Sequence, residues 1–276
     1  APLQIIGMGR KGNRVEDLLS APHGREHKIG PSRIEGQHHA LIFFNIFFAH
    51  PVKIVTFHRL QSGSVCLSLI RELSTASDVP NNKKQMETIF SFLRDLSENN
   101  HREWFEKNKK RYLESLEIFR SFIARVIAGI AVFDPAMKWV EPKDTIFRIY
   151  KDVRFSKDMS PYKTNFGSWM ARGGRKSNDA GYYFHLQPGA SFMAAGVYMP
   201  PKEQLHRIRE EIVFNPDAFR EVFHDPWINK HYERSGDQDK LKKGPADFPK
   251  DTEMIEEIKY KHYIFTKSYS DQEIIS

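Results

Sequence analysis

"GYYFHLQPGASFMAAGVY", Gly181 to Tyr198, decides the fold class. Two runs that alternate between faces are joined by Gln187-Pro188-Gly189-Ala190. Proline presets φ near about −65° at the second position of a turn, and glycine accepts the positive φ that a type II turn needs at the third. The stretch therefore predicts an antiparallel hairpin of strands 181–187 and 191–198. In the first strand Tyr182, Phe184 and Leu186 share one face; Tyr183, His185 and Gln187 share the other, more polar one.

Working outward, the same period of two predicts strands over 145–155 and 166–172, and Tyr263 to Lys267 reads as a short final strand. Helical periodicity brackets these strands. Phe90, Leu93 and Leu96 form a stripe closed by Asn99-Asn100. Asn100 and Glu103 have capping-box spacing and predict a long helix, with Trp104, Phe105, Tyr112, Leu116, Phe119, Ile123, Val126, Ile127 and Ile130 on its apolar face. That stripe assigns Trp104 and Phe105 to a core rather than to a ligand platform. Further helices are expected at 202–214, after Asn215-Pro216, and at 252–260 behind Asp251. Helices, strands, helices and a strand in that order indicate α+β, with a mostly antiparallel sheet packed with helices in a single main domain. Ser270 and Glu273 make another capping box, so the pattern predicts a C-terminal helix that the chain cuts short.

Residues 1–82 read differently. They show no sustained period, hold half of the 12 histidines and begin without methionine, and are expected to form an extension of uncertain order. Their one hydrophobic knot, Leu41 to Phe57, is compatible with a strand or hairpin. His38-His39 lacks a third ligand at useful spacing, so no metal site is expected. The domain proper is placed at 83–276.

Composition narrows the function. The single cysteine, Cys66, excludes internal disulfides and cysteine-rich zinc sites and fits a reducing compartment. The longest apolar stretch, Ala40 to His50, is too short to cross a membrane. The formal charge is +7, yet Thr145 to Lys176 alone carries eight basic and two acidic residues. A basic excess so confined points to a small anionic ligand, a phosphate-containing ligand or a nucleic-acid contact, more than to a basic coat. Spacings for a glycosidase carboxylate pair, a serine nucleophile elbow or a metal-ligand helix are absent. "RGGRKSNDAG", Arg172 to Gly181, is not a phosphate loop, because a strand follows it. Nothing in the sequence sets a cofactor or an oligomeric state.

The candidate site lies in "RIYKDVRFSKDMSPYKTNF", Arg148 to Phe166. At strand spacing Phe147, Ile149, Val153 and Phe155 fall on a core face, and Arg148, Tyr150, Asp152 and Arg154 on the other. Two guanidiniums with a carboxylate between them can clamp an anion, with Lys163 and Arg175 in support. Asp152, Tyr162 and His185 are the candidate acid/base groups should catalysis occur. A self-satisfied ion-pair ladder or a partner-binding surface accounts for the same row, and both readings stand.

"RIYKDVRFSKDMSPY" resembles the Arg-x-x-Arg-Asp-x-Arg-Phe-x-x-Asp-Lys-x-x-Tyr signature of domain-of-unknown-function family 2461. The likeness continues from "FLRDLSENNHREWFEKNKKRY" to the end of the chain, roughly 87–276. Arg148, Asp152, Arg154, Phe155, Asp158 and Tyr162 match the signature, whereas Lys151 and Met159 replace an arginine and a lysine. The resemblance implies a cytoplasmic domain and supplies no reaction, cofactor or substrate.

Overall fold

Phe166, Phe184 and Leu186 point from two neighbouring strands into one hydrophobic cluster. The computed structural model describes residues 82–275 apart from 153 and 155–157. The expectations for Leu41–Phe57, His38-His39, Val153 and Phe155 lie outside the described residues.

Five antiparallel strands, β1 (Phe166–Ala171), β2 (Gly181–Leu186), β3 (Ser191–Val197), β4 (Glu233–Ser235) and β5 (Tyr263–Tyr269), lie in the order β1-β2-β3-β5-β4. The β2–β3 hairpin closes as its turn residues require. Gly189 has φ 72°, and the Ala190 amide donates to the Gln187 carbonyl at 3.0 Å.

Two helical groups cover one face of the sheet. α1 (Asn82–Glu98) buries Met86, Ile89, Phe90, Leu93 and Leu96, the spacing of an amphipathic helix. With α2 (Arg102–Lys107) and α3 (Lys109–Ala131) it encloses Phe119, Phe122, Phe166, Phe184 and Leu186. α4 (Pro142–Thr145) joins this layer to β1 through a buried bond, in which Ser168 Oγ donates to Thr145 Oγ1 at 2.8 Å. α5 (Lys202–Phe214), α6 (Pro216–Phe223) and α7 (Pro226–His231) form a second cluster with Val197, Tyr263 and Phe265. α8 (Asp271–Ile275) is held by the expected capping box: the Glu273 amide donates to Ser270 Oγ at 3.3 Å, and Glu273 Oε2 accepts from the Ser270 amide at 2.8 Å. The opposite sheet face carries a small cluster of Phe192, Ala194 and Ile264, flanked by Tyr183 and Tyr198. The domain is α+β. Among the described residues no helix is long and apolar enough to cross a membrane.

Three expectations fail. The long helix from Asn100 is two helices, because the Asn108 side chain takes the Trp104 carbonyl at 2.9 Å and leaves Asn108 outside helical geometry, a competition typical of asparagine. Asn100 caps nothing; His101 is the cap residue and bonds Glu103 itself. The stretch 252–260 is a series of turns whose buried residues, Met254, Ile258 and Tyr260, fit no single helical stripe. Finally, 145–155 is not a continuous strand. It contributes isolated bridges, Ile146 to Ser168 and Tyr150 to Tyr162. The Phe147 amide bonds Gly167 on the edge of β1, but Lys151 and Ile149 pair with Pro161 and Lys163. The segment changes partner at a bend near Ile149, so its period slips: Ile146 and Ile149 are buried, three residues apart, and Phe147 is only half-buried. α7 and β4 were not expected, although Asp225-Pro226 announces α7 by its cap, with the Ile228 amide donating to Asp225 Oδ1 at 2.7 Å.

Candidate functional site

The charged row divides into used and unused charges. Arg154 closes on Asp152 through two parallel bonds, Nε to Oδ1 at 2.9 Å and Nη2 to Oδ2 at 2.6 Å. This fork-on-fork contact lowers the Asp152 pKa to about 2. Lys151 pairs with Asp158, which also accepts from the Ser160 amide and hydroxyl, each at 2.9 Å; together these bonds hold the Asp158 carboxyl far below its usual range. Lys151 thus has an ionic role within the segment. Arg175 donates to the carbonyls of Lys143 and Asp144 at 3.3 and 3.2 Å and anchors the end of α4. Phe155 lies outside the described residues.

Arg148 and Lys163 remain. Among the described residues neither makes an ion pair, and neither guanidinium nor ammonium has a hydrogen bond. Lys163 is fixed by its own amide, which donates to the Ile149 carbonyl at 2.8 Å, and its ammonium lies 5.6 Å from the centre of the Phe147 ring. Burial pulls the Lys163 pKa down, and the nearby charge of Arg148 pulls it further. Two cations are held within each other's field, one of them half-buried.

Phe147 leads on to the sheet. Its ring meets Tyr183 edge-on at 6.3 Å between centres. Tyr183 Oη donates to His185 Nδ1 at 3.1 Å, Asn165 Nδ2 donates to the same nitrogen at 3.4 Å, and His185 Nε2 donates to Gln187 Oε1 at 2.9 Å. The imidazole stacks on Phe192 at 4.7 Å and 16°. Burial lowers the His185 pKa, opposed by its bond to Gln187, and burial raises that of Tyr183. Space for the Tyr183 hydroxyl comes from Gly167, since a Cβ there would stand 2.7 Å from Tyr183 Oη.

Tyr162 belongs to the core. Its ring stacks on Phe105 at 3.9 Å and 13°, and burial raises its pKa. Its peptide is gripped by Asn100, which accepts from the Tyr162 amide at 3.1 Å and donates to the Tyr162 carbonyl at 2.9 Å. The structure thus links Lys163 and His185 through Phe147 and Tyr183, with Arg148 beside Lys163, and assigns Arg154, Asp158, Tyr162 and Arg175 to internal contacts. Asn100, Asn165 and Gly167 were missed. A glycine inside a strand was the available signal for Gly167, since it marks a close approach. Among the described residues no three His, Cys, Asp or Glu side chains converge as a metal site would need.

No curated protein matches the chain, and no solved structure does. One family model does, described as "Conserved hypothetical protein (DUF2461)", over residues 88–276. That match spans Arg148, Lys163 and His185 together with every described strand, and the chain belongs to this family.

Proposed function

We propose that the protein binds a small oxyanion, of phosphate type, through Arg148 and Lys163. The observation that carries this reading is the pair itself: two cations in each other's field, neither of which makes an ion pair or a head-group hydrogen bond among the described residues, with Arg148 reaching Asp152 only through its longer-range charge. Like charges held together raise the energy of the folded chain, and an incoming anion relieves it. Arginine offers a bidentate fork and lysine a point charge, a usual combination for phosphate or carboxylate. Three of the eight basic residues of this stretch are committed, Lys151 to Asp158, Arg154 to Asp152 and Arg175 to main-chain carbonyls. The confinement of the basic excess to this one segment favours a compact ligand over a long nucleic acid strand. The single cysteine and the family resemblance fit action in the cytoplasm.

Calorimetry with inorganic phosphate, nucleotides and single-stranded oligonucleotides, at low and at raised salt, tests this. Two charge-assisted contacts of about 1.5–3 kcal/mol each, less association costs, give weak but measurable binding. Arg148→Ala or Lys163→Met should abolish it, and Arg154→Ala should leave it intact. A second reading is favoured by the closed pairs Asp152–Arg154 and Lys151–Asp158, in which this segment is a self-neutralised surface for a protein partner. Absence of binding by all of these ligands, with an unchanged melting temperature, selects that reading.

A further inference from the structure

A short antiparallel pairing places Lys163. Its amide donates to the Ile149 carbonyl at 2.8 Å, the Lys151 amide donates to the Pro161 carbonyl at 2.9 Å, and Tyr150 faces Tyr162 between them. Lys163 therefore stands across from Ile149, and Arg148 is the next residue along the chain. Opposed Cα atoms in such a pairing are about 4.5–5.5 Å apart and successive ones about 3.8 Å, so the Cα atoms of Arg148 and Lys163 lie within about 9 Å of each other. The Arg148 charge is felt at Lys163 across that distance. Elsewhere in the fold carboxylates hold lysines as cations: Lys151 pairs with Asp158, Lys240 with Asp237 and Lys259 with Glu256. Lys163 has no such partner among the described residues, and its half-buried side chain ends beside the Phe147 ring. Burial, and after it the Arg148 charge, favours the neutral amine. A lysine that is desolvated and set next to a second cation is a usual arrangement for a nucleophilic amine.

We propose that Lys163 is a nucleophile, and that its substrate is an aldehyde or ketone carrying a phosphate or carboxylate group, which Arg148 holds while the Lys163 amine condenses with the carbonyl. This rests on the reading of Arg148 and Lys163 as an anion site, and it gives the two residues different tasks. The Nζ lone pair attacks the carbonyl carbon, the second electron pair of the C=O bond moves to oxygen, and one amine proton passes to that oxygen, giving a carbinolamine. The carbinolamine then loses water and forms the C=N bond of an imine. Amine and carbonyl enter, imine and water result, and nothing is oxidised or reduced. An anion on Arg148 offsets the field of that residue at Lys163, but burial, the larger cause, remains. A bare oxyanion leaves the amine idle, and a bare carbonyl leaves the guanidinium fork empty.

Glyceraldehyde 3-phosphate and glyceraldehyde share the aldehyde and differ in the phosphate. Each is incubated with the full chain and cyanoborohydride, whose hydride reduces an imine to a stable secondary amine, and peptide mass spectrometry follows the label at each lysine. Glyceraldehyde 3-phosphate should label Lys163 ahead of every other lysine, and about tenfold faster than glyceraldehyde does. Arg148→Ala should remove that advantage. Lys163→Arg keeps the charge without the amine, so it should still bind inorganic phosphate in calorimetry and lose the fast phase of labelling. Phosphate binding that disappears in Arg148→Ala, together with label spread over exposed lysines and no excess on Lys163, overturns the nucleophile and leaves the anion site standing. Equal labelling of Lys163 by both aldehydes removes the anion site, and the substrate class with it. Neither phosphate binding nor an excess of label on Lys163 removes both.

Discussion

Tyr183 lies over Gly167, diagonally across the β1–β2 ladder, where the directly facing partner of Gly167 is His185. The hydroxyl occupies the place of a side chain that Gly167 does not have. Adding one methyl at 167 should therefore do more harm than its size suggests. Gly167→Ala is expected to cost about 1–3 kcal/mol, the usual penalty for overpacking, read as a lower melting temperature. In Tyr183→Phe the 2.7 Å contact disappears, so the double variant should recover part of the loss. Strict additivity of the two changes would show that the contact is not the cause.

Asn100 holds Tyr162 by both edges of its peptide, at 3.1 and 2.9 Å. Asn100→Ala should destabilise the domain by about 1–3 kcal/mol in a denaturant titration, because two main-chain groups lose a partner. Asn100→Asp can still accept from the Tyr162 amide but has no hydrogen for its carbonyl, and should fall between the two.

Acid sensitivity should have a histidine component. His185 and His262 both have pKa values lowered from 6.5 by burial. The folded state then binds fewer protons than the unfolded one, so acid favours unfolding. Their contribution is complete above about 6.5 and declines as pH falls from there toward the folded values. Melting temperatures measured from pH 7.5 to 5.5 should drop, and His185→Gln should flatten the slope. Identical slopes would assign the drop elsewhere.

Asp152 is expected to titrate near 2 only while Arg154 is present. In Arg154→Ala its carboxyl should move up toward the ordinary aspartate range, about 3.9, as read by carboxyl-carbon NMR. The stabilising effect of the pair is present above that ordinary value and is lost as pH falls through 2. Phosphate binding at neutral pH should not change.

Asp271 ties three elements together. Its carboxylate accepts from the Gly189 amide at 2.7 Å and from Arg94 Nη2 at 2.9 Å. Asp271→Ala should speed hydrogen exchange at Gly189 and loosen α8. Unchanged exchange at Gly189 would mean that the turn is rigid without it.

How far the sequence could be read follows from how local each cause is. The Pro188-Gly189 turn and the Ser270–Glu273 cap act within four residues, and both stand as their chemistry requires. Arg148, Lys163 and His185 were visible by residue type and position. Arg154 pairs with Asp152 two residues away in a turn, a contact that the ion-pair reading of the row allowed and that residue type alone left open. Asn100 was read as a cap because its real partner, Tyr162, is 62 residues distant. Gln187 fixes the tautomer of His185, a consequence of side-chain geometry that no periodicity carries.

The strand order has a temporal consequence. β5 lies between β3 and β4, yet of the described strands it is made last. While the ribosome adds every residue from Tyr198 to His262, β3 waits with one unpaired edge, and the aromatic residues of the second cluster wait for Tyr263 and Phe265. A nascent chain at that stage is half a sheet with an open flank, and chaperone capture is to be expected there, before the final strand slides in and seals it.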